Sequence, residues 1–214
     1  MPSDASWVKH NFDCELPDEL WRTEIYPTYP APFIYLSEGK PQCGLAEFGL
    51  RPFWAKDKRF GTRTYNARSE TVAEKPSYRN AWKTRQFGLA IMQSFYEPNY
   101  ESGKAVRWKI KRADKQPIAI ASIWERFVDT DTGEIVFSFS MLTINATGHP
   151  VMQQFHKPED EKRSIVVLND NEYLPWLNAN QEQARELLNL APDNFLTSEP
   201  SPRLHDAIKK PKSL

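Results

Sequence analysis

Residues 105–112 alternate well: Val106, Trp108 and Ile110 fall on one side, Arg107, Lys109 and Lys111 on the other. A strand with one buried face demands that period of two. Turn residues bracket it, with Asn99 to Lys104 before and Ala113 to Gln116 after. Further short apolar runs lie on both sides, at Gln86 to Met92, Pro117 to Trp124 and Val136 to Ile144. Between Phe127 and Phe137, the run Asp129-Thr130-Asp131-Thr132-Gly133 reads as a hairpin loop. Upstream, Ile34 to Leu36 and Gly44 to Leu50 flank a Ser37-Glu38-Gly39-Lys40 turn, and downstream Ile165 to Leu168 is a last core strand. Many short strands without a regular strand–helix–strand series argue against a dinucleotide-binding parallel sheet. They predict an α+β fold: a mainly antiparallel sheet or barrel-like core with a few short peripheral helices.

The helical pattern is confined to Ser77 to Trp82, where Ser77 reads as the cap, to Asp170 to Leu177 with a bend at Pro175, and to Asn180 to Leu190; Val151 to Phe155 reads as a single turn. Residues 1–24 are weakly patterned and are expected to form an irregular head, with at most a turn of helix. Pro27, Pro30 and Pro32 make the next stretch extended. Residues 1–190 are thus expected to form one domain, and the Pro- and Lys-bearing residues 191–214 a loose tail.

Charge excludes one function class and leaves another open. The chain carries 28 basic and 28 acidic residues, so no whole-molecule field draws it to nucleic acid. The distribution is uneven, however: residues 51–85 hold ten Lys or Arg against three acids, and a local basic face remains open. Cys14 and Cys43 are the two cysteines, with neither disulfide nor zinc spacing. No signal-peptide pattern and no long apolar run is visible. The expectation is a cytoplasmic monomer with no membrane segment, no metal and no cofactor.

The most polar stretch is Asn66-Ala-Arg-Ser-Glu-Thr71. Asn and Arg offer paired donors, Ser69 and Thr71 hydroxyls, and Glu70 a carboxylate able to hold a guanidinium. The same residues also suit an ordinary polar turn leading into a surface helix. Glu97 follows the buried-looking strand and the rings of Phe95 and Tyr96. Partial desolvation there raises a carboxyl's pKa and equips it for acid–base work. A rim salt bridge is the plainer alternative. His149 and His156 share one loop, and either is a proton carrier or a hydrogen-bonded loop residue. Trp54, Tyr65, Tyr78, Trp82, Tyr96, Tyr100 and Trp108 are interleaved with Arg and Lys, which suits stacking on single-stranded nucleic acid or an aromatic core with a charged rim.

Taken together, Asn66-Ala-Arg-Ser-Glu-Thr71, Phe95-Tyr-Glu97 and His156 ahead of a Val-Val-Leu strand resemble the SRAP family, the SOS response-associated peptidases that sense abasic sites. Phe48-Gly-Leu-Arg-Pro-Phe-Trp54 is similar to the strand and loop before that string. The resemblance runs from about Tyr26 to about Leu177. It implies a compact, mostly β fold with a basic cleft for single-stranded DNA containing abasic sites. It also implies capture of the ring-opened sugar by the amine and thiol of an N-terminal cysteine, closing a thiazolidine. Asn66 would position the N-terminal residue and the lesion, Arg68 would contact the nucleic acid, Glu97 would act near the amine, and His156 would help open the sugar and shuttle protons. Arg51, Trp54, Arg68, Ser69, Glu70, Arg79 and Arg107 make up the expected DNA-facing set, with Lys109 and Lys111 extending it along their strand. Residue 2 is Pro2, which has no thiol, so the expectation is either a misplaced or truncated start, with a Met-Cys pair upstream, or a degenerate member. The alternatives are a non-covalent DNA-binding module, or a peptidase limited to removing an initiator Met.

Overall fold

The computed structural model describes residues 5–55, 57–129 and 132–203. Its main sheet is mixed and closes on itself. Strands β1 (Pro30–Ser37) and β2 (Lys40–Phe48) form an antiparallel hairpin across the Glu38–Gly39 turn. After β3 (Asn66–Arg68) come β4 (Phe87–Met92) and β5 (Phe95–Asn99), then β6 (Val106–Arg112), β7 (Ile118–Val128) and β8 (Ile135–Asn145). β4 lies between β1 and β7, β7 pairs with β8, and β8 runs parallel to β2. The ring β1–β2–β8–β7–β4 is thereby closed, which leaves those strands without a free edge. β3 continues the β2 side of β8, also parallel, while β9 (Arg163–Ile165) pairs with β8 and β10 (Val167–Leu168) with β7. The predicted single strand Ile165 to Leu168 is thus a strand that changes partner at Val166, which bonds to both Leu142 and Ala121.

β4 shows why this sequence builds a closed core. Phe87, Leu89 and Ile91 point to the helical layer, while Ala90 points into the barrel. Both faces are buried, so the run is continuously apolar. Gly88 faces the Phe33 ring so closely that a Cβ would sit 2.4 Å from it. Helix α3 (Tyr173–Asn178) covers the outer face, and Trp176 donates its indole N–H to the Gly88 carbonyl at 2.9 Å. Helix α2 (Arg79–Lys83) adds Trp82, packed edge-on to Phe87. Ser77 does not cap α2: Tyr78 holds the cap position and makes no side-chain cap bond. Helix α4 (Gln181–Glu186) is capped by Asn180 with Gln183 answering back.

Both chain ends depart from expectation. The head is ordered: α1 (Ala5–Phe12) buries Trp7, Val8 and Phe12 against Tyr173, with ring centroids 5.5–5.8 Å apart. Eight residues carry too little periodicity to announce a helix, and tertiary packing supplies its stability. The tail contributes β11 (Leu196–Pro200), which pairs with β6. With β5 on the other side of β6, these three strands make a second antiparallel sheet. Leu196 is buried, and Lys111 reaches Glu199 at 2.8 Å. The part of the expected loose tail after residue 203 lies outside the described residues. No helix among the described residues is long and apolar enough to cross a membrane.

Candidate active site

β5 carries Glu97, and β6 sets Trp108 directly opposite it. The chain returns to the end of β5 through a bridge between Asn99 and Phe155. Buried Asn99 donates to the Gln154 carbonyl at 3.2 Å, and the next backbone donor, His156 N, reaches the Pro98 carbonyl at 3.1 Å. These bonds seat His156 at the end of Glu97's strand. His156 has φ +64°, in the left-handed region that few non-glycine residues occupy. Its Nε2–H donates to the Arg163 carbonyl at 3.0 Å, which leaves Nδ1 to take or pass a proton. Lys162 fixes the same turn from outside, donating to the carbonyls of His156 and Lys157. Burial pushes the Glu97 carboxyl up to about 7, opposed by the pull of nearby His156. A carboxyl at that value exchanges its proton near neutrality.

Asn66 and Arg68 project from the same exposed face of β3, with Ala67 buried between them. Tyr78 donates its hydroxyl to the Asn66 carbonyl at 3.1 Å. Arg68 binds Glu161 at 2.8 Å. Glu70 does not hold Arg68, as its position two residues away had implied. It takes Arg163 instead through two bonds of 2.9 Å. Glu70 lies in the turn after β3, off the strand that carries Arg68, and meets the guanidinium of Arg163 on β9. Arg163 also binds Glu161 at 2.8 Å and the Thr143 carbonyl at 2.7 Å. Its own carbonyl receives His156. Arg163 therefore joins the Asn66–Arg68 face to the Glu97–His156 pair. Sequence reasoning missed it; its one signal was a charged residue directly ahead of the apolar Ser-Ile-Val-Val-Leu run.

Several other expected DNA-facing residues, Arg51, Arg107 and Lys111 among them, are occupied elsewhere. Arg51 is buried, with its guanidinium over Phe127 and beside Glu47 and Asp129 at 3.9 and 3.6 Å. It neutralises carboxylates inside the fold and presents no charge outward. Arg107 pairs with Glu24 at 2.7 Å and lies 3.3 Å from the centre of the Tyr96 ring. Its main chain and guanidinium both meet Ser201. It fastens head and tail to the second sheet. Lys111 is paired with Glu199, so the basic face read from 105–112 is largely neutralised by β11 and the head. Trp54 is half exposed, edge-on to Phe60, and Arg79 is exposed on α2. Ser69 is buried, its N–H bonded to Thr143. His149 is a structural residue: Nδ1 accepts from Val151 N and Met152 N, and Nε2–H donates to the Ala191 carbonyl. The N-terminal residues expected to meet the lesion lie outside the described residues.

Comparison with known proteins gives this constellation a family. The family model described as "SOS response associated peptidase (SRAP)" matches residues 6–203. The chain is 29% identical over 138 residues to the abasic site processing protein YoqW of Bacillus subtilis, and 30% identical over 138 residues to YobE of the same organism. Each match covers 64% of this chain; it spans 58% of YoqW and 59% of YobE, less than two thirds of either. A crystal structure of a Bordetella bronchiseptica protein superposes with a TM-score of 0.85 at 30% identity, covering 94% of this chain and 96% of that one. One from Bacteroides thetaiotaomicron, at 21% identity, shares the fold with a TM-score of 0.75 and covers 94% and 89%. With its family-model match running from the first helix to the end of the described residues, the chain belongs to the SOS response-associated peptidase (SRAP) family.

Proposed function

We propose that the protein binds single-stranded DNA and acts at abasic sites, with Asn66 and Arg68 orienting the strand and Glu97 and His156 moving protons at the ring-opened sugar. The observation that carries this is the seating of His156 against the strand of Glu97, next to a carboxyl held near neutrality by its surroundings. An aldehyde condensing with an amine must gain and lose protons in turn. A carboxyl that is half ionised near pH 7 and an imidazole with a free Nδ1 are suited to that relay. The relatives named abasic site processing proteins support the same substrate.

The finer step is covalent capture as a thiazolidine, in which the amine adds to the sugar C1′ aldehyde, water leaves, and the thiol closes on the resulting imine carbon. It needs an amine and a thiol on one N-terminal residue. A non-covalent binding module is the second reading, favoured by the exposed Asn66–Arg68 face, which can hold a strand without any nucleophile. The test is a denaturing gel of the protein with an abasic single-stranded oligonucleotide, run for the chain as given and for one starting Met-Cys. A time-dependent crosslink in the second alone is expected. Glu97→Gln or His156→Ala in that background should slow crosslinking by about 10²–10⁴-fold while binding persists. Binding without any crosslink in either chain would leave the binding module as the better reading.

A further inference from the structure

We infer that Glu161 sets the affinity of this face for DNA, because its carboxylate occupies the seat between Arg68 and Arg163 that a backbone phosphate takes on binding. The inference rests on reading the face as DNA-binding. Oε2 of Glu161 receives Arg68 Nη1 at 2.8 Å, and Oε1 receives Arg163 Nη1 at 2.8 Å. Asn145 Nδ2 adds a third donor at 3.2 Å. One carboxylate oxygen for each guanidinium is also the arrangement that the two non-bridging oxygens of a phosphodiester adopt.

The partners differ in how firmly they are held. Arg163 has a side chain only 11% exposed and is fixed by Glu70 through two bonds and by the Thr143 carbonyl and hydroxyl. It stays in place when Glu161 leaves. Arg68, 60% exposed, has Glu161 as its one ion-pair partner among the described residues and is free to turn to a new anion. Glu161 ends the run Glu159-Asp160-Glu161 in an exposed loop outside any strand. Its departure needs only a side-chain rotation. A singly charged phosphodiester then replaces a singly charged carboxylate among the same three donors. Every DNA strand must first displace this internal anion, so wild-type affinity is held below what the two arginines alone would give.

The test is fluorescence anisotropy with a labelled oligodeoxythymidylate across a salt series. Glu161→Gln keeps the side chain's size and removes its charge. Two exposed ion pairs are weak, so the expected gain in affinity is about 3-fold to 30-fold, with a steeper salt dependence. Glu159→Gln removes the same charge from the same loop without contacting either arginine, and should change affinity less. The Glu161→Gln gain should vanish in an Arg68→Ala background. Weaker binding by Glu161→Gln would overturn the inference and make Glu161 a brace for Arg68. Equal gains from the two glutamine variants would also overturn it, since the effect would then be one of overall charge. If neither wild type nor any variant bound the oligonucleotide, the DNA-binding reading would fall and take the inference with it. Wild-type binding that Arg68→Ala abolishes, with Glu161→Gln unchanged, would sink the inference alone.

Discussion

Replacing Glu97 with Gln should stabilise the protein at mildly alkaline pH and do little at acid pH. An acid whose pKa is higher folded than unfolded binds protons more tightly in the folded state. Stability therefore falls as pH rises through the interval between the two values, then levels off. For Glu97 the interval runs from the ordinary 4.5 to about 7. Each pH unit within it is worth about 1.4 kcal/mol, which sets a ceiling of about 3 kcal/mol. Glu97 is only half-buried, so solvent screens part of the burial penalty. About 1–2 kcal/mol is the realistic gain at pH of about 8, shrinking towards zero near pH 4.5. Urea denaturation of both proteins at the two pH values measures it. A Gln variant less stable than wild type at the higher pH would refute the reasoning, and so would a difference that does not change with pH. Either result would mean that Glu97 is ionised and favourably paired in the folded protein.

Arg68→Ala should weaken DNA binding while leaving the melting temperature nearly unchanged, because an exposed ion pair contributes about 0–1 kcal/mol; anisotropy and thermal melts on the same samples check both halves. Trp108→Leu should lower the titration midpoint of Glu97 towards the ordinary carboxylate range by opening its cross-strand wall, read by carboxyl NMR; an unmoved midpoint would assign the desolvation to other groups. Gly49→Ala should cost about 4 kcal/mol or more, or prevent folding. Gly49 has φ +114°, and a Cβ there would lie 2.2 Å from the Gly61 carbonyl oxygen. Soluble yield and chemical denaturation decide that case.

The core strands were legible because their burial is written in local periodicity. The unbroken apolar run at 87–92 implies a strand buried on both faces, as β4 is, while the alternation at 105–112 marks a strand whose basic side proves half-buried under β11 and the head. Glu97 was legible because an acid following a buried strand and two rings has few places to go. Arg51, Arg68 and Arg107 could not be ranked from sequence. An arginine facing Glu47 and Asp129 inside the fold looks the same in one dimension as an arginine facing solvent. Arg163 was missed for the complementary reason, since its partners come from three other segments, at Glu70, Thr143 and Glu161. α1 and β11 escaped because neither persists by its own propensity: α1 needs Tyr173 to pack on, and β11 needs the edge of β6.

The late arrival of β11 has a consequence for how the site comes into being. Residue 196 pairs with residue 112, and Arg107 waits both for Glu24 from the head and for Ser201 from the tail. Until the chain has been synthesised beyond residue 201 and has cleared the ribosome, Glu97 and Trp108 stand on a two-stranded ribbon, which is marginal in water. The barrel can close earlier, since its ring ends with β8. The β5–β6–β11 sheet that carries Glu97 is thus completed late, on a scaffold already folded. A nascent chain stalled after β10 would already have its barrel strands, the Asn66–Arg68 face and the Asn99–Phe155 bridge, but β6 would lack its partner on the β11 side.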